Sequence, residues 1–230
     1  MALAAFAVTA HAPAATAAVA VETAVVSDER AETYWAPVAR EVPVRATPAP
    51  DARRVGTLRR RTFYGFRDVV VVLRDTLEGR RWTLVRYPGL GDRTGWVPSA
   101  ALGARSYTDR RIVIDRARTR LTVFKEGAPI FSTRVGVGAA SSPTPAGRTY
   151  LRERLVPARR NGIYGVLAFG LSAHSRHRTD WPGGGQVGIH GTNQPYLIPG
   201  RISNGCIRLT NAAIRRVDSL TGVGTPVLVR

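Results

Sequence analysis

One cysteine, one methionine and one lysine occur in 230 residues. The single thiol, Cys206, excludes an internal disulfide and any cluster of cysteines around a metal. The single lysine, Lys125, leaves the basic excess almost wholly to arginine: 34 basic residues stand against 16 acidic ones, a formal net charge of +18. Long apolar runs are also missing. The leading stretch MALAAFAVTAHAPAATAA is broken by His11 and Pro13, so it is too short for a stable membrane span. No nucleic-acid-binding module and no dense basic helix is recognisable, so nucleic acid is not an expected partner. The charge points instead to an anionic cell-wall polymer, although arginine-rich coding alone would produce the same excess.

What is present begins with small apolar residues. The first ten could form the core of a signal peptide, and Ala15-Thr16-Ala17 offers a small-x-small cleavage site, but the expected basic start is missing. The reading is export, to the cell wall or periplasm. An unpaired thiol in an oxidising compartment is a liability unless it is used. Residues 18 to 33 read as an acidic linker, which makes 1–33 leader and linker together.

Short apolar pieces bounded by Gly, Pro or Asp follow: EVPVRATPAP, RVGTLRRRTFYGF, DVVVVLRD, RWTLVRYPG and TGWVPSAAL. Such spacing leaves no room for a long helix. Residues 34–103 suit a small barrel of five or six strands that ends near a buried Trp96. Residues 101 to 108 read as a connector. A second β-rich block covers 108–230. RIVIDRARTRLTVFKEG predicts two strands around a charged turn, APIFSTRVGVG a third, and SSPTPAGRTYLRERL, YGVLAFGLSAH, GQVGIHGT and TPVLVR the rest. One helix is expected after the cysteine, capped by Thr210 or Asn211, with Ile214, Val217 and Leu220 on one face and Gly222 at its end. No internal repeat is found. The fold class is mainly β.

Four histidines are available to Cys206. His11 lies in the leader. His174 and His177 sit in SAHSRHRTD, read as a polar loop; no carboxylate or cysteine cluster supports a metal there. His190 ends the apolar strand VGIH, where a sheet can hold a side chain for use. Alone it reads as a core histidine bonded to backbone. Paired with a thiol it reads as a base, because a thiol needs a nearby base or cation to become nucleophilic near neutral pH. No carboxylate occurs between Asp180 and Asp218 to orient the imidazole; a backbone carbonyl at Gly191 is the expected substitute. Gly205, just before Cys206, lets backbone N–H groups converge on an oxyanion. Arg208, two residues on, shares a strand face with Cys206 and could grip a carboxylate.

The stretch GIHGTNQPYLIPGRISNGCIRL resembles the signature of L,D-transpeptidases, the YkuD-type catalytic domain: His-Gly, a loop, then Ser-x-Gly-Cys and Arg. VGVGAASSPTPAGRTYLRE, DWPGGGQVGIHGT and NAAIRRVDSLTGVGTPVLV extend the likeness over about residues 110 to 230. Residues 35 to 103 resemble a bacterial SH3-like barrel less specifically. One departure stands out: the family usually has histidine where this chain has Asn204, which cannot take up a proton.

The resemblance implies acyl transfer on peptidoglycan stem peptides. Cys206 would attack the carbonyl after the L-centre of a diamino acid and expel the terminal D-alanine. His190 would serve as base and Gly191 would orient its ring. Ser203, Asn204, Gly205, Thr192 and Arg208 would bind substrate or the oxyanion. A neighbouring stem's amine would resolve the thioester into a cross-link. No metal and no organic cofactor is implied, and carbapenem-type β-lactams are expected to acylate the cysteine. A hydrolase using water, or a non-catalytic wall-binding protein, are the alternatives. The barrel has no cysteine or histidine. It is expected to add no catalytic group and to position the enzyme on the wall, with Arg59-Arg60-Arg61 following an anionic polymer.

Overall fold

The computed structural model describes residues 21–77, 81–177 and 183–230. The leader-like stretch with His11, and Asp180, lie outside the described residues. The chain is mainly β and forms two sheets. The first holds β1 (Thr23–Val25), β2 (Thr33–Pro37), β3 (Val42–Arg45), β4 (Arg54–Leu58), β5 (Val69–Thr76), β6 (Trp82–Arg86), β7 (Thr94–Pro98) and β8 (Ser106–Thr108). Their order is β4-β3-β7-β6-β5-β2-β8, with β1 also on β5.

Eight strands stand where five or six are expected. The two extra edges come from segments that read as linker and connector. β5 is long enough for β2 to pair with its first half and β1 with its second. Asp28 turns the chain between β1 and β2: its carboxylate accepts the N–H groups of Arg30, Ala31 and Glu32 at 2.7, 2.9 and 2.9 Å. The acidic residue that suggests a linker is therefore a turn former. β8 pairs with the opposite edge of β2. Trp96 is half-buried rather than buried, because its neighbours Gly95 and Val97 take the inward positions of β7.

The second sheet holds β9 (Arg110–Asp115), β10 (Arg120–Lys125), β11 (Ala128–Arg134), β12 (Gly136–Gly138), β13 (Gly147–Leu155), β14 (Ala168–His174), β15 (Gln186–His190), β16 (Gly200–Ser203), β17 (Ile207–Arg208) and β18 (Pro226–Val229). The order is β11-β10-β9-β18-β13-β14-β15-β17-β12-β16. Helix α1 (Asn211–Leu220) follows β17. Thr210 is its cap, with the hydroxyl accepting the Ala213 N–H at 3.1 Å. Ala213, Ile214 and Val217 bury its inner face against Phe169, Ile189 and Ile207 of the core, and Leu220 packs at the margin. Asn211 serves elsewhere: its side-chain oxygen accepts the Val166 N–H at 3.2 Å.

APIFSTRVGVG forms two strands, not one. β11 hairpins onto β10, whereas β12 leaves for the far end of the sheet and pairs with β16 and β17. That crossing braces β17, the strand directly after Cys206, from the side opposite β15.

Candidate active site

Two short parallel strands build the site. β15 and β17 pair with Ile189 opposite Ile207 and His190 opposite Arg208. Side chains alternate along a strand. Ile189 and Ile207 are fully buried in the core, which turns Gly188, His190, Cys206 and Arg208 to the other face together. The Gly188 N–H donates to Cys206 Sγ at 3.4 Å. A Cβ added at Gly188 would lie 3.9 Å from His190 Cδ2 and 4.0 Å from Cys206 Sγ. The missing side chain of Gly188 is thus the space that imidazole and thiol share.

His190 is 4% exposed, and its Nδ1 lies 2.6 Å from the Gly191 carbonyl oxygen. A carbonyl only accepts, so Nδ1 carries the proton and Nε2 keeps its lone pair. Gly191 itself has no room for a side chain, since a Cβ there would collide with Asn211 Oδ1. The Tyr164 ring meets the imidazole edge-on, with centroids 5.0 Å apart. Burial lowers the His190 pKa to about 4; the Gly191 carbonyl opposes this and the Arg208 charge adds to it. Burial pushes the Cys206 thiol up, against the Gly188 N–H and Arg208, which pull it down. Both groups are therefore neutral near pH 7, with the proton on sulfur and the acceptor nitrogen ready.

The turn before the cysteine is fixed by Ser203. Its hydroxyl donates to the Cys206 carbonyl at 2.5 Å and accepts the Gly205 N–H at 3.1 Å. Gly205 has φ +115°, a conformation that favours glycine. Ser142 Oγ donates to the Asn204 carbonyl at 3.0 Å. The Gly205 N–H, expected among the oxyanion donors, is committed to Ser203 Oγ in this structure. Thr192 is 2% exposed and its hydroxyl accepts the Gln194 N–H at 3.1 Å; it does not line the cleft. Ser203 borders the cleft, but its hydroxyl is spent on the turn. Asn204, exposed, and Arg208 do line the cleft.

The cleft has two limbs that meet at Cys206 and His190. One, about 30 Å³, is bordered by Ser175, Ser203, Asn204 and Arg208. The other, about 290 Å³, is bordered by Tyr64, Val156, Pro157, Tyr164 and Phe169. Sequence reasoning missed Gly188, Tyr164 and Tyr64. Gly188 had a usable signal, a glycine two residues before His190 on one strand. Tyr64 had none, because it arrives from the other sheet.

His174 ends β14 and is half-buried, not in a loop, while His177 is exposed just beyond. Among the described residues no three His, Cys, Asp or Glu side chains gather in a way that could hold a metal. No helix of the described residues is long and apolar enough to cross a membrane.

Comparison with known proteins bears on this arrangement. The YkuD protein of Bacillus subtilis (strain 168) is 34% identical over 97 residues, 41% of this chain and 50% of that protein. Its counterpart in Bacillus licheniformis is 28% identical over 119 residues, 52% of this chain and 64% of the relative. The matches therefore span less than two thirds of either curated relative. The catalytic domain of an E. faecium L,D-transpeptidase, solved by NMR, is 28% identical, covers 53% of this chain and 97% of its own, and superposes with a TM-score of 0.39. Residues 109–229 match the family profile of the L,D-transpeptidase catalytic domain, YkuD, and the chain belongs to that family.

Proposed function

We propose that the protein is a cysteine-dependent L,D-transpeptidase acting on peptidoglycan stem peptides through a thioester on Cys206. The observation that carries this is the shared face of β15 and β17, where Cys206 and a tautomer-fixed His190 border one cleft. His190 Nε2 takes the thiol proton as Sγ attacks the carbonyl carbon. The C–N bond then breaks, and the same proton passes to the departing amine of D-alanine. A stem amine or water resolves the thioester. Backbone N–H groups of the Asn204–Cys206 turn, other than that of Gly205, stabilise the oxyanion.

Arg208 binds the carboxylate of the donor stem. Its Nε is buried and has no hydrogen-bond partner among the described residues, a costly state that an anionic ligand would relieve. Asn204 replaces the second imidazole usual in the family, so among the described residues His190 is the only histidine bordering either limb. Incubating the full chain with purified muropeptides and reading products by mass spectrometry tests the proposal. Release of D-alanine is expected; unaltered muropeptides would refute it.

Gly188 supplies a sharper check on the site. Its Cβ position is already 3.2 Å from the Phe169 carbonyl, so a branched side chain has no free direction but the space between imidazole and thiol. Overpacking of this kind costs ~1–3 kcal/mol. Gly188→Val is expected to slow iodoacetamide labelling of Cys206 by about tenfold or more. An unchanged labelling rate would show that the shared space is not where Cys206 is reached.

The first sheet is proposed to be SH3-like and to hold the enzyme to an anionic wall in the exported compartment. Arg60, Arg61 and Arg67 border a surface cavity of about 250 Å³, which supports this reading. Changing Arg60 and Arg67 to glutamine is expected to weaken sedimentation with purified sacculi at low salt. The difference should disappear near 1 M salt, where the screening length is about 3 Å. Equal binding at low salt would remove these arginines from wall attachment.

A further inference from the structure

The two sheets are locked together at the edge of the cleft. β13 carries a bulge between Leu151 and Glu153, which lets adjacent residues address the same neighbour. Arg152 makes two bonds to the buried Asp68 carboxylate, at 2.7 and 2.6 Å. Thr62 Oγ1 donates to Glu153 Oε2 at 2.5 Å, and both residues are buried. Tyr150 is fully buried and its hydroxyl donates to the Val69 carbonyl at 2.8 Å. The β4–β5 tip, residues 59–67, is therefore pinned at Thr62 and again just beyond it, at Asp68.

The tip is also braced internally. The Thr62 N–H donates to the Phe66 carbonyl at 2.8 Å, and Arg61 donates to the Gly65 carbonyl at 2.7 Å. Phe63 and Tyr64 stand edge to face, with centroids 5.2 Å apart. Tyr64 remains 46% exposed, yet it borders the same limb as Cys206 and His190. A large ring held rigidly at the mouth of a reactive cleft, with half its surface open, is built to meet something that enters.

The lining of that limb indicates what enters. The chain has 34 basic residues, yet among the described residues none borders the limb of about 290 Å³. Arg208 lies in the other limb. The acyl donor carries a carboxylate beside the scissile bond and belongs with Arg208. The acceptor is an ammonium at the end of a methylene chain. Apolar walls take the methylenes, aromatic faces attract the cation, and the lack of arginine spares it repulsion.

We infer that the first sheet completes the acceptor half of the active site, with Tyr64 as a substrate-contacting residue for the alkylamine that resolves the thioester. This rests on the proposed function. The entering ammonium loses one proton to solvent, and its nitrogen attacks the thioester carbon. A C–N bond forms and the C–S bond breaks. The second proton passes through His190 Nε2 to the leaving sulfur, restoring the thiol. Water is the competing nucleophile. Tyr64 thus biases the enzyme toward cross-linking over hydrolysis.

The test uses the full chain as wild type, Tyr64→Ala and Tyr64→Phe, a stem tetrapeptide donor and Nα-acetyl-lysine as acceptor. Mass spectrometry reads the ratio of aminolysis to hydrolysis product, and D-alanine release without acceptor reads the donor step. Tyr64→Ala is expected to lower the ratio at least ~10-fold, with D-alanine release slowed far less. Tyr64→Phe should restore the ratio, because the ring rather than the hydroxyl makes the contact. An unchanged ratio in Tyr64→Ala overturns the inference. So does an equal loss in both steps, which would put the ring on the donor side. A wild type that releases no D-alanine overturns the proposed function instead.

Discussion

Replacement of Cys206 by alanine should abolish acyl-enzyme formation while leaving the fold intact. The sulfur accepts a hydrogen bond from the Gly188 N–H, and it is half-buried at the meeting point of the two cleft limbs. The turn that presents it is held by Ser203 and Ser142 through backbone atoms, so alanine keeps those bonds. Incubation with a carbapenem gives the cleanest readout. The wild type should gain the mass of one drug molecule, since this is the only thiol in the chain, and Cys206→Ala should gain none. Muropeptide conversion should disappear with it. Undiminished product from Cys206→Ala would mean that another group carries the acyl chain and that the thioester route is wrong.

The features legible in the sequence were those set by rare residues and local alternation. Cys206 and His190 stand out because thiols and imidazoles are scarce here, and VGIH shows His190 at the end of a buried strand. The Gly191 carbonyl could be named as the orienting group because no carboxylate lies nearby in sequence, and it lies 2.6 Å from Nδ1. Features fixed by pairing over long sequence distances were not legible. β17 is two residues long and β1 three, too short for any periodicity, and both exist because longer neighbours offer open edges. β12 is three residues that look like the tail of β11 until the parallel pairing with β16 redirects them. A glycine before a nucleophile suggested a free backbone donor at 205, but Ser203, two residues earlier, captures it. The first sheet lacks histidine and cysteine, so its sequence alone sets it apart from the chemistry. What it brings to the cleft is an aromatic ring, a residue type that alternation patterns do not distinguish from core.

His190→Ala should lower the rate of acylation by at least ~10²-fold, the usual scale for loss of a general base. The proton must leave a thiol that burial holds above its ordinary range, and among the described residues no second imidazole borders the cleft to take over, because residue 204 is asparagine. The pH profile gives a separate readout. The base is competent only when neutral, so wild-type kcat/KM should fall as pH drops through about 4, the lowered value of His190. That limb should be absent in the variant's residual activity. Stability follows the same group. Between an ordinary 6.5 and about 4, the unfolded chain takes up a proton at His190 that the native chain refuses. Native stability must therefore decline as pH falls through that window, by ~3 kcal/mol in all. In His190→Gln this contribution should vanish and the denaturation midpoint should vary less with pH. A His190→Ala protein with full acylation activity would remove His190 as the base. An acid limb near 6.5 in the wild type would instead mean that the imidazole is solvated in the working enzyme, so burial would not set its charge.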